Sequence, residues 1–299
     1  MTEGPLIAGI ELGGTKCVAI LARGPAAIET EVRLPTGDPA ETLPALRAEI
    51  DKWRARHEIA AIGIASFGPL SLNPDAADFG HVARTPKPGW AGTDLLGALV
   101  PEAVPARLDT DVNGAALAEA RWGAARGLNS FAYVTVGTGV GVGSIVNGAP
   151  VAGLGHSEAG HVLVPRQAGD DWPGVCPFHG DCVEGLASGT AIAAAADERA
   201  EMLADDHPAM RRAAAAIAAL CHNLVLTAAP ERILIGGGVA AGRPAWVADI
   251  RTRLVESLNG YAGSERIAGD ERYVCKPALG RRAGPLGAIA LGLAALQQH

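Results

Sequence analysis

Short apolar runs that end in glycine alternate along this 299-residue chain with segments of helical periodicity. The run Leu6–Leu12 ends in two glycines, and a second run, Cys17–Leu21, follows closely. This pattern predicts a β-hairpin with a glycine turn. Apolar and polar residues alternate through Ile28–Leu34, which predicts a third strand. Apolar residues at helical spacing then predict a helix over Pro39–Arg56, with Asp38 in the position of an N-cap.

Polar loops follow the next two predicted strands. The strand predicted over Ile59–Ala65 runs into a Ser-Phe-Gly-Pro loop. A short strand over Ala106–Thr110 leads to a helix that ends near Ala125, with Asp111 or Asn113 at its start.

The strand, glycine turn and strand pattern returns in the middle of the chain. Phe131–Val136 and Val140–Val146 flank a Gly-Thr-Gly turn, which is a weak internal repeat of the first hairpin. Two Ala-rich helices, a strand, a helix, a strand and a final helix are then predicted near 188–203, 207–229, 232–235, 245–258, 273–276 and 286–296. Strands and helices thus alternate in two similar halves, which predicts an α/β protein with two lobes that divide near residue 113.

The composition indicates a cytoplasmic globular protein. Hydrophobic residues make up 48% of the chain, the formal net charge is −7, and no block of Lys or Arg occurs. These features argue against nucleic acid and anionic membranes as partners. We expect neither a signal peptide nor a membrane span, because the basic and long apolar segments that these require are missing. The 5 cysteines are an odd number, so clustered cysteines favour metal ligands or reactive thiols over disulfides.

Three glycine loops follow predicted strands, at Gly13-Gly14, Gly137-Thr138-Gly139 and Gly236-Gly237-Gly238. Glycine lets backbone amides approach a phosphate closely. One such loop is more often an ordinary tight turn, but three at equivalent places indicate nucleotide binding. The chain has no Gly-Lys pair and therefore no Walker motif. A Rossmann-like Gly236-x-Gly238-x-x-Ala241 pattern makes hydride transfer a lesser alternative.

A second candidate site joins Cys176, His179 and Cys182 to a distant imidazole, that of His161. Two thiolates and two imidazoles suit tetrahedral Zn²⁺, and four protein ligands are typical of a structural site. The interpretation without a metal is a buried cysteine pair with two surface histidines. His156 is the alternative to His161 as the fourth ligand.

Eight segments together resemble one protein family. In chain order they are IELGGTK, SFGPL, TPKPGW, DTDVNGAALAE, TVGTGVG, HSEAGH, CPFHGDCVEGLASG and ILIGGGV. From Ile10 to about Ala290 the chain resembles the ROK group of sugar kinases in the actin–hexokinase superfamily, and in particular its zinc-containing fructokinase branch. The resemblance implies a two-lobed, ribonuclease H-like α/β fold with a zinc-bearing loop and ATP in a cleft between the lobes. We expect residues 1–113 and a C-terminal helix, about 284–299, to form one lobe, and residues 114–283 the other.

The resemblance implies MgATP as the co-substrate, with its phosphates and adenosine against the three glycine loops. Glu11 stands in place of the Asp of the family's D-x-G-G-T motif, as in the fructokinase branch, and would hold Mg²⁺ through water. The implied nucleotide-binding residues are Glu11, Gly13, Gly14, Thr15, Lys16, Gly137, Thr138, Gly139, Gly236, Gly237 and Gly238.

Phosphoryl transfer to a sugar needs a carboxylate that accepts the hydroxyl proton. Asp111 lies at a predicted strand-to-helix junction and matches the family's catalytic Asp, while Asp109 is the alternative and helix capping is the structural use of either. By resemblance, His161 is the preferred metal ligand because it occupies the family's E-x-G-H position. The residues that the resemblance places around the sugar are Glu158, His161, Glu184, Ser66, Gly68 and Pro69. Lys87 is added from the segment that also holds Thr85 and Trp90. A Pro-rich turn explains the residues of that segment equally well.

We expect fructose as the acceptor, with glucokinase or mannokinase activity as the nearest alternative. Thr110 stands where glucokinase-like members have Asn, which argues against glucose. Ser157 and Ala159 replace a Pro and a Met that are common in this branch and could alter the sugar preference. A sugar-responsive regulator and a zinc-knuckle interaction module are the alternatives from other classes. We also expect a homodimer, without nucleic-acid or membrane partners.

Overall fold

The computed structural model describes residues 4–297. In chain order the strands are β1 (Ile7–Leu12), β2 (Lys16–Gly24), β3 (Ala27–Pro35), β4 (Ala61–Ser66), β5 (Ala106–Thr110), β6 (Phe131–Val136), β7 (Val140–Val146), β8 (Ala149–Pro150), β9 (Ile233–Gly236) and β10 (Val274–Cys275). The helices are α1 (Pro39–Arg54), α2 (Leu95–Leu99), α3 (Asp111–Trp122), α4 (Val183–Ala187), α5 (Gly189–Ala196), α6 (Pro208–Ala228), α7 (Pro244–Leu258), α8 (Ser264–Gly269) and α9 (Ala283–Ala295).

These elements form two compact units. The first comprises the chain up to Arg126, residues 152–156 and the chain from Arg281 onward, and the second comprises residues 127–151 and 157–280. The sequence-based boundary near residue 113 falls at the start of α3, whereas the units divide after Arg126. The reason is that α3 packs against α9 within the first unit.

Each unit contains one five-stranded mixed sheet, and the two sheets have the same topology. In the first unit the order is β3-β2-β1-β4-β5, with β1 antiparallel to β2 and parallel to β4. In the second the order is β8-β7-β6-β9-β10, with β6 antiparallel to β7 and parallel to β9. The α/β class is confirmed, and the weak repeat between the two hairpins is a repeat of whole sheets.

Helix α9 belongs to the first unit, although it is the last element of the chain. It is apolar and buried around nearly its whole circumference, and it packs on β1, β4 and α3. Glycine at position 63 in β4 permits the contact, because a Cβ there would lie 1.8 Å from the carbonyl oxygen of Ala288. Neither α9 nor any other helix within residues 4–297 is long and apolar enough to cross a membrane.

Several predicted boundaries differ from the structure. The helix predicted over 188–203 ends at Ala196, because Asp197 takes a left-handed conformation with φ of 53°. Helix α3 begins at Asp111, one of the two predicted starts, and its N-cap is Thr110, whose hydroxyl accepts a hydrogen bond from the Asn113 N–H at 3.2 Å. The short helices α2, α4 and α8 have five or six residues each, too few to give a periodic signal.

Candidate functional site

Three polar loops lie at one edge of the first sheet. The strands β1, β4 and β5 run parallel, and their last residues align as Leu12, Ser66 and Thr110. The loops after β1 and β4 carry Gly13-Gly14 and Gly68-Pro69, and β5 leads directly into α3 at Asp111. The carboxyl edge of parallel strands is the usual place for ligands in α/β proteins. The structure therefore brings the first glycine loop, the predicted sugar wall and the predicted base to one edge.

The turn after β1 is tightly fixed. The Gly13 N–H donates to the Lys16 carbonyl at 3.1 Å, and a Cβ on Gly13 would lie 2.7 Å from that carbonyl oxygen. The Thr36 hydroxyl donates to the Gly13 carbonyl at 2.7 Å, and the Thr36 N–H donates to the Thr15 carbonyl at 3.1 Å. Glycine is required at position 13 because any side chain would open this turn.

The segment Thr85–Trp90 folds against the same turn. The Lys87 ammonium group donates to the Gly14 carbonyl at 2.6 Å and lies 5.7 Å from the centre of the Phe67 ring. Trp90 is fully buried, packs edge-to-face on Phe67 with the ring centres 5.0 Å apart, and donates from Nε1 to the Gly37 carbonyl at 3.0 Å. Lys87 was predicted to contact sugar, and its amine lies at the first glycine loop.

Two carboxylates interact at this edge of the sheet. Burial, and then the charge of Asp111, raise the pKa of the Glu11 carboxyl to about 7, while Lys16 opposes the shift. Glu11 is thus partly protonated near neutral pH, and a cation bound beside it would favour its ionised form. Asp111 is the first residue of α3, where its Oδ1 accepts a hydrogen bond from the Val112 N–H at 2.9 Å. The helix N-terminus stabilises the Asp111 carboxylate.

Asp109, the alternative base, has a structural role. It is 6% exposed, and its Oδ1 accepts hydrogen bonds from the Thr110 N–H at 2.8 Å and from the Asn113 side-chain amide at 2.7 Å. These bonds hold the start of α3. The half-buried Asp111 is better placed to meet a substrate.

The second unit repeats this arrangement with the other two glycine loops. Thr135 of β6 aligns with Gly236 of the parallel strand β9, so the loops at Gly137 and Gly237 leave the sheet side by side. Gly237 has φ of +90°, and a Cβ there would lie 2.3 Å from the Val136 carbonyl oxygen. Only glycine fits this close approach between neighbouring strand ends.

The start of α5 also packs on the Gly137 loop, which the sequence interpretation missed. The Gly189 N–H donates to the Gly137 carbonyl at 2.7 Å, and the Thr190 hydroxyl donates to the Thr138 carbonyl at 2.8 Å. The only sequence signal was the Ser-Gly-Thr run at the helix start, where Ser188 is the N-cap.

A cavity of about 430 Å³ opens beside the third glycine loop. Its lining includes Gly238, Gly242, Glu201, Asp205 and Arg243. The Arg243 guanidinium forms an ion pair with Asp205 and donates to the Leu203 carbonyl at 2.8 Å. The sequence did not indicate Glu201, Asp205 or Arg243 as site residues. Glu201 and Asp205 belong to no motif, and they lie near Gly238 only because of the tertiary fold.

The four predicted metal ligands lie together in the second unit. The ligand atoms of His161, Cys176, His179 and Cys182 all lie within 4.8 Å of one another. His161 Nδ1 is 3.6 Å from the Cys176 sulfur and 3.5 Å from the Cys182 sulfur, and His179 Nδ1 is 3.7 Å from the Cys176 sulfur. Tetrahedral zinc with bonds of about 2.3 Å to sulfur and about 2.0 Å to nitrogen separates S and N ligands by about 3.6 Å. The residues fit zinc.

Burial governs the ionisation of the cysteines in this cluster. Burial, and to a smaller extent the neighbouring Cys176, raise the pKa of the Cys182 thiol to about 11, so the thiol is protonated at neutral pH in the metal-free protein. Both cysteines could act as thiolate ligands only with a cation bound between them. His156 is not part of the cluster, because its Nε2 accepts a hydrogen bond from the Leu70 N–H at 2.9 Å in the first unit.

Glu184 connects the cluster to the Gly137 loop. One carboxylate oxygen lies 3.8 Å from His161 Nε2, and the other accepts a hydrogen bond from the Val140 N–H at 3.1 Å. The exposed Glu158 directly precedes the 3₁₀ turn Ala159–His161, and its carbonyl accepts a hydrogen bond from the His161 N–H at 2.9 Å. Glu158, His161 and Glu184, the three residues of this unit that are predicted to contact sugar, thus lie next to or within the segment that carries the four candidate metal ligands.

The chain is similar to known proteins along nearly its whole length. The sequence profile of the ROK family matches residues 7–295. A fructokinase of Zymomonas mobilis is 41% identical over 295 residues, covering 96% of each chain, and a fructokinase of Pediococcus pentosaceus is 36% identical, covering 98% of this chain and 99% of its own. The crystal structure of a ROK hexokinase from Thermus thermophilus superposes with a TM-score of 0.76 at 26% identity, covering 98% of this chain and all of the other.

Proposed function

Because this chain belongs to the ROK family of sugar kinases, we propose that it transfers the γ-phosphoryl group of MgATP to a hexose, and that fructose is its substrate. The observation that carries the proposal is the alignment of Leu12, Ser66 and Thr110, which brings a phosphate-type glycine turn and Asp111 to one sheet edge. Relatives named fructokinase, 36–41% identical over nearly the whole chain, support fructose.

In this proposal Asp111 is the general base. Its carboxylate accepts the proton of the attacking sugar hydroxyl as the new O–P bond forms and the bond between the γ-phosphorus and the ADP oxygen breaks. Bound Mg²⁺ neutralises phosphate charge, and Glu11 would hold it through water. The Asp109 carboxylate keeps its structural bonds and takes no proton.

The nucleotide is held by the three glycine loops in this proposal. Thr15, Lys16 and Thr138 with the neighbouring glycine amides bind the phosphates. Gly236–Gly238 and the cavity beside them take the adenosine, which a volume of about 430 Å³ can accommodate. Lys87, at the Gly14 carbonyl, adds a positive charge at the first loop.

The sugar-binding residues of this proposal are those that the family resemblance implies. Ser66, Gly68 and Pro69 contact the sugar, and Glu158, His161 and Glu184 bind its hydroxyl groups. Zinc bound by His161, Cys176, His179 and Cys182 would fix the shape of the loop that lies between Glu158 and Glu184. The homodimeric state and the cytoplasmic location stay predictions.

The test is Asp111→Asn assayed by ADP release with fructose, glucose and mannose. Removing the base should lower kcat by about 100-fold to 10,000-fold while fructose and ATP still bind. The matched control is Asp51→Asn on the exposed face of α1, which should keep full activity. Full activity of the Asp111 variant would refute the role of the base, and a preference for glucose or mannose would replace fructose as the substrate.

A further inference from the structure

A group of half-buried charges joins the loop of residues 162–182, called the metal loop here, to helix α6. Arg212, the fifth residue of α6, donates from Nε to both carboxylate oxygens of Asp170 at 3.0 Å each. Its Nη2 lies 2.9 Å from Asp170 Oδ1. This two-pronged contact fixes the orientation of both side chains, which a single-point ion pair does not.

A second arginine extends the group to the metal ligands. Arg166 Nη2 lies 3.1 Å from Asp170 Oδ2 and also donates to the Trp172 carbonyl at 2.5 Å. Arg166 Nη1 donates to Asp181 Oδ2 at 3.0 Å. Asp181 directly precedes Cys182. A continuous series of contacts thus runs from α6 through Arg212, Asp170 and Arg166 to the segment that holds the ligands.

The group is shielded enough from water to be rigid. The side chains of Asp170, Arg212 and Arg166 are 12%, 19% and 24% exposed. The hydrogen bonds from Arg212, then those from Arg166, lower the pKa of Asp170 to about 2, so its carboxylate stays ionised. The Arg212 guanidinium also lies over the Trp172 ring, 5.5 Å from its centre. Exposed ion pairs contribute little, whereas removing one partner of a buried pair leaves an uncompensated charge.

We infer that Asp170 and Arg212 are positioning residues that hold the loop in its metal-binding shape before a metal binds. The geometry of His161, Cys176, His179 and Cys182 is then prepared in advance, which raises the affinity for zinc and steadies the residues that bind sugar. This inference rests on the proposed zinc site and on the proposed kinase function. No step of the reaction passes through the pair itself.

Zinc affinity of the full-length protein tests the inference, measured by competition with a chromogenic chelator. Asp170→Asn and Arg212→Met should each weaken zinc binding by about 10-fold, the lower end of the loss for groups that contact metal ligands, because these two residues act on the ligands through Arg166 and Asp181. The double variant should lose less zinc affinity than the product of the two single-variant losses, because both substitutions remove the same contact. KM for fructose should rise while KM for ATP stays near the wild-type value.

The matched control is Asp249→Asn, which removes the partner of Arg253 in an exposed pair on α7 and should leave zinc affinity unchanged. If Arg212→Met fails to fold, Arg212→Lys retains the charge and should show a smaller loss of affinity. Unchanged zinc affinity in folded Asp170 and Arg212 variants would overturn the inference, even if they melt at lower temperature. If the wild-type protein binds no zinc, both the proposed zinc site and this inference are overturned.

If the wild-type protein binds zinc but phosphorylates no hexose, only the kinase proposal is overturned. The zinc affinities of the variants then still decide the inference.

Discussion

At residue scale, the position of the Glu11 carboxylate depends on a glycine that lies far away in the sequence. A Cβ on Gly284, in the first turn of α9, would lie 2.0 Å from Glu11 Oε1 and 2.5 Å from its Cδ. Glutamate is one methylene longer than the aspartate that the ROK motif carries at this position. The missing side chain at position 284 therefore leaves the space that the longer carboxylate occupies.

Gly284→Ala is expected to separate activity from stability. Alanine favours a helix over glycine by about 1 kcal/mol, so the melting temperature should stay level or rise. The Glu11 carboxylate must move, so the Mg²⁺ concentration for half-maximal ADP release should rise about 10-fold, the lower end for outer contacts of metal ligands. In the Glu11→Asp background, Gly284→Ala should raise the Mg²⁺ concentration for half-maximal ADP release much less. An unchanged Mg²⁺ dependence of Gly284→Ala would contradict this account.

At element scale, the metal loop has no regular structure to hold its shape. Between His161 and Val183 the described chain forms neither helix nor strand, and its one β-bridge pairs Cys176 with Gly180. Backbone hydrogen bonds cannot order such a segment alone, so side-chain contacts must order it, and the proposed zinc would add to that order.

Loss of the metal should therefore act on the sugar more than on the nucleotide. Cys176→Ser, or removal of zinc by a chelator, should raise KM for fructose about 10-fold or more and speed proteolysis within residues 162–182. Cys275→Ser, outside the cluster, is the matched control and should behave as wild type. Equal fructose KM values in metal-loaded and metal-free protein would argue against a zinc-shaped loop.

At the scale of the whole molecule, the first unit is completed by the end of the chain. Helix α9 covers β1 and β4, and its backbone lies close to β4 at Gly63, where a Cβ would lie 1.8 Å from the Ala288 carbonyl oxygen. A Cβ on Gly63 would also lie 2.4 Å from the Gly292 nitrogen. The core of the first unit therefore depends on a close backbone contact between β4 and α9, which are more than 200 residues apart in the sequence.

Gly63→Ala should destabilise the protein by about 3 kcal/mol, the upper end for inserting one methyl group into a packed core. The physical reason is that the contact is with backbone, which cannot move aside as a side chain can. The change is measured as a lower urea midpoint of unfolding. Gly269→Ala, where a Cβ would meet nothing within 4 Å, is the control and should leave the midpoint unchanged. Equal midpoints for both variants would show that α9 can shift.

The sequence by itself determined the elements with long periodic patterns, the glycine turns after β1, β6 and β9, and the closely spaced Cys176, His179 and Cys182 as candidate metal ligands. These signals lie within short segments, where backbone preferences and side-chain alternation act locally. Its resemblance to the ROK family was confirmed by the family match over residues 7–295.

Only the tertiary structure decided which of two neighbouring carboxylates is occupied structurally, as Asp109 is, and which histidine joins the metal cluster, as His161 does. It alone set Gly284 against Glu11 and joined Arg212 to Asp170. These contacts link residues tens to hundreds of positions apart. No local preference encodes them, because they exist only once the packing of the sheets and helices has fixed which side chains meet.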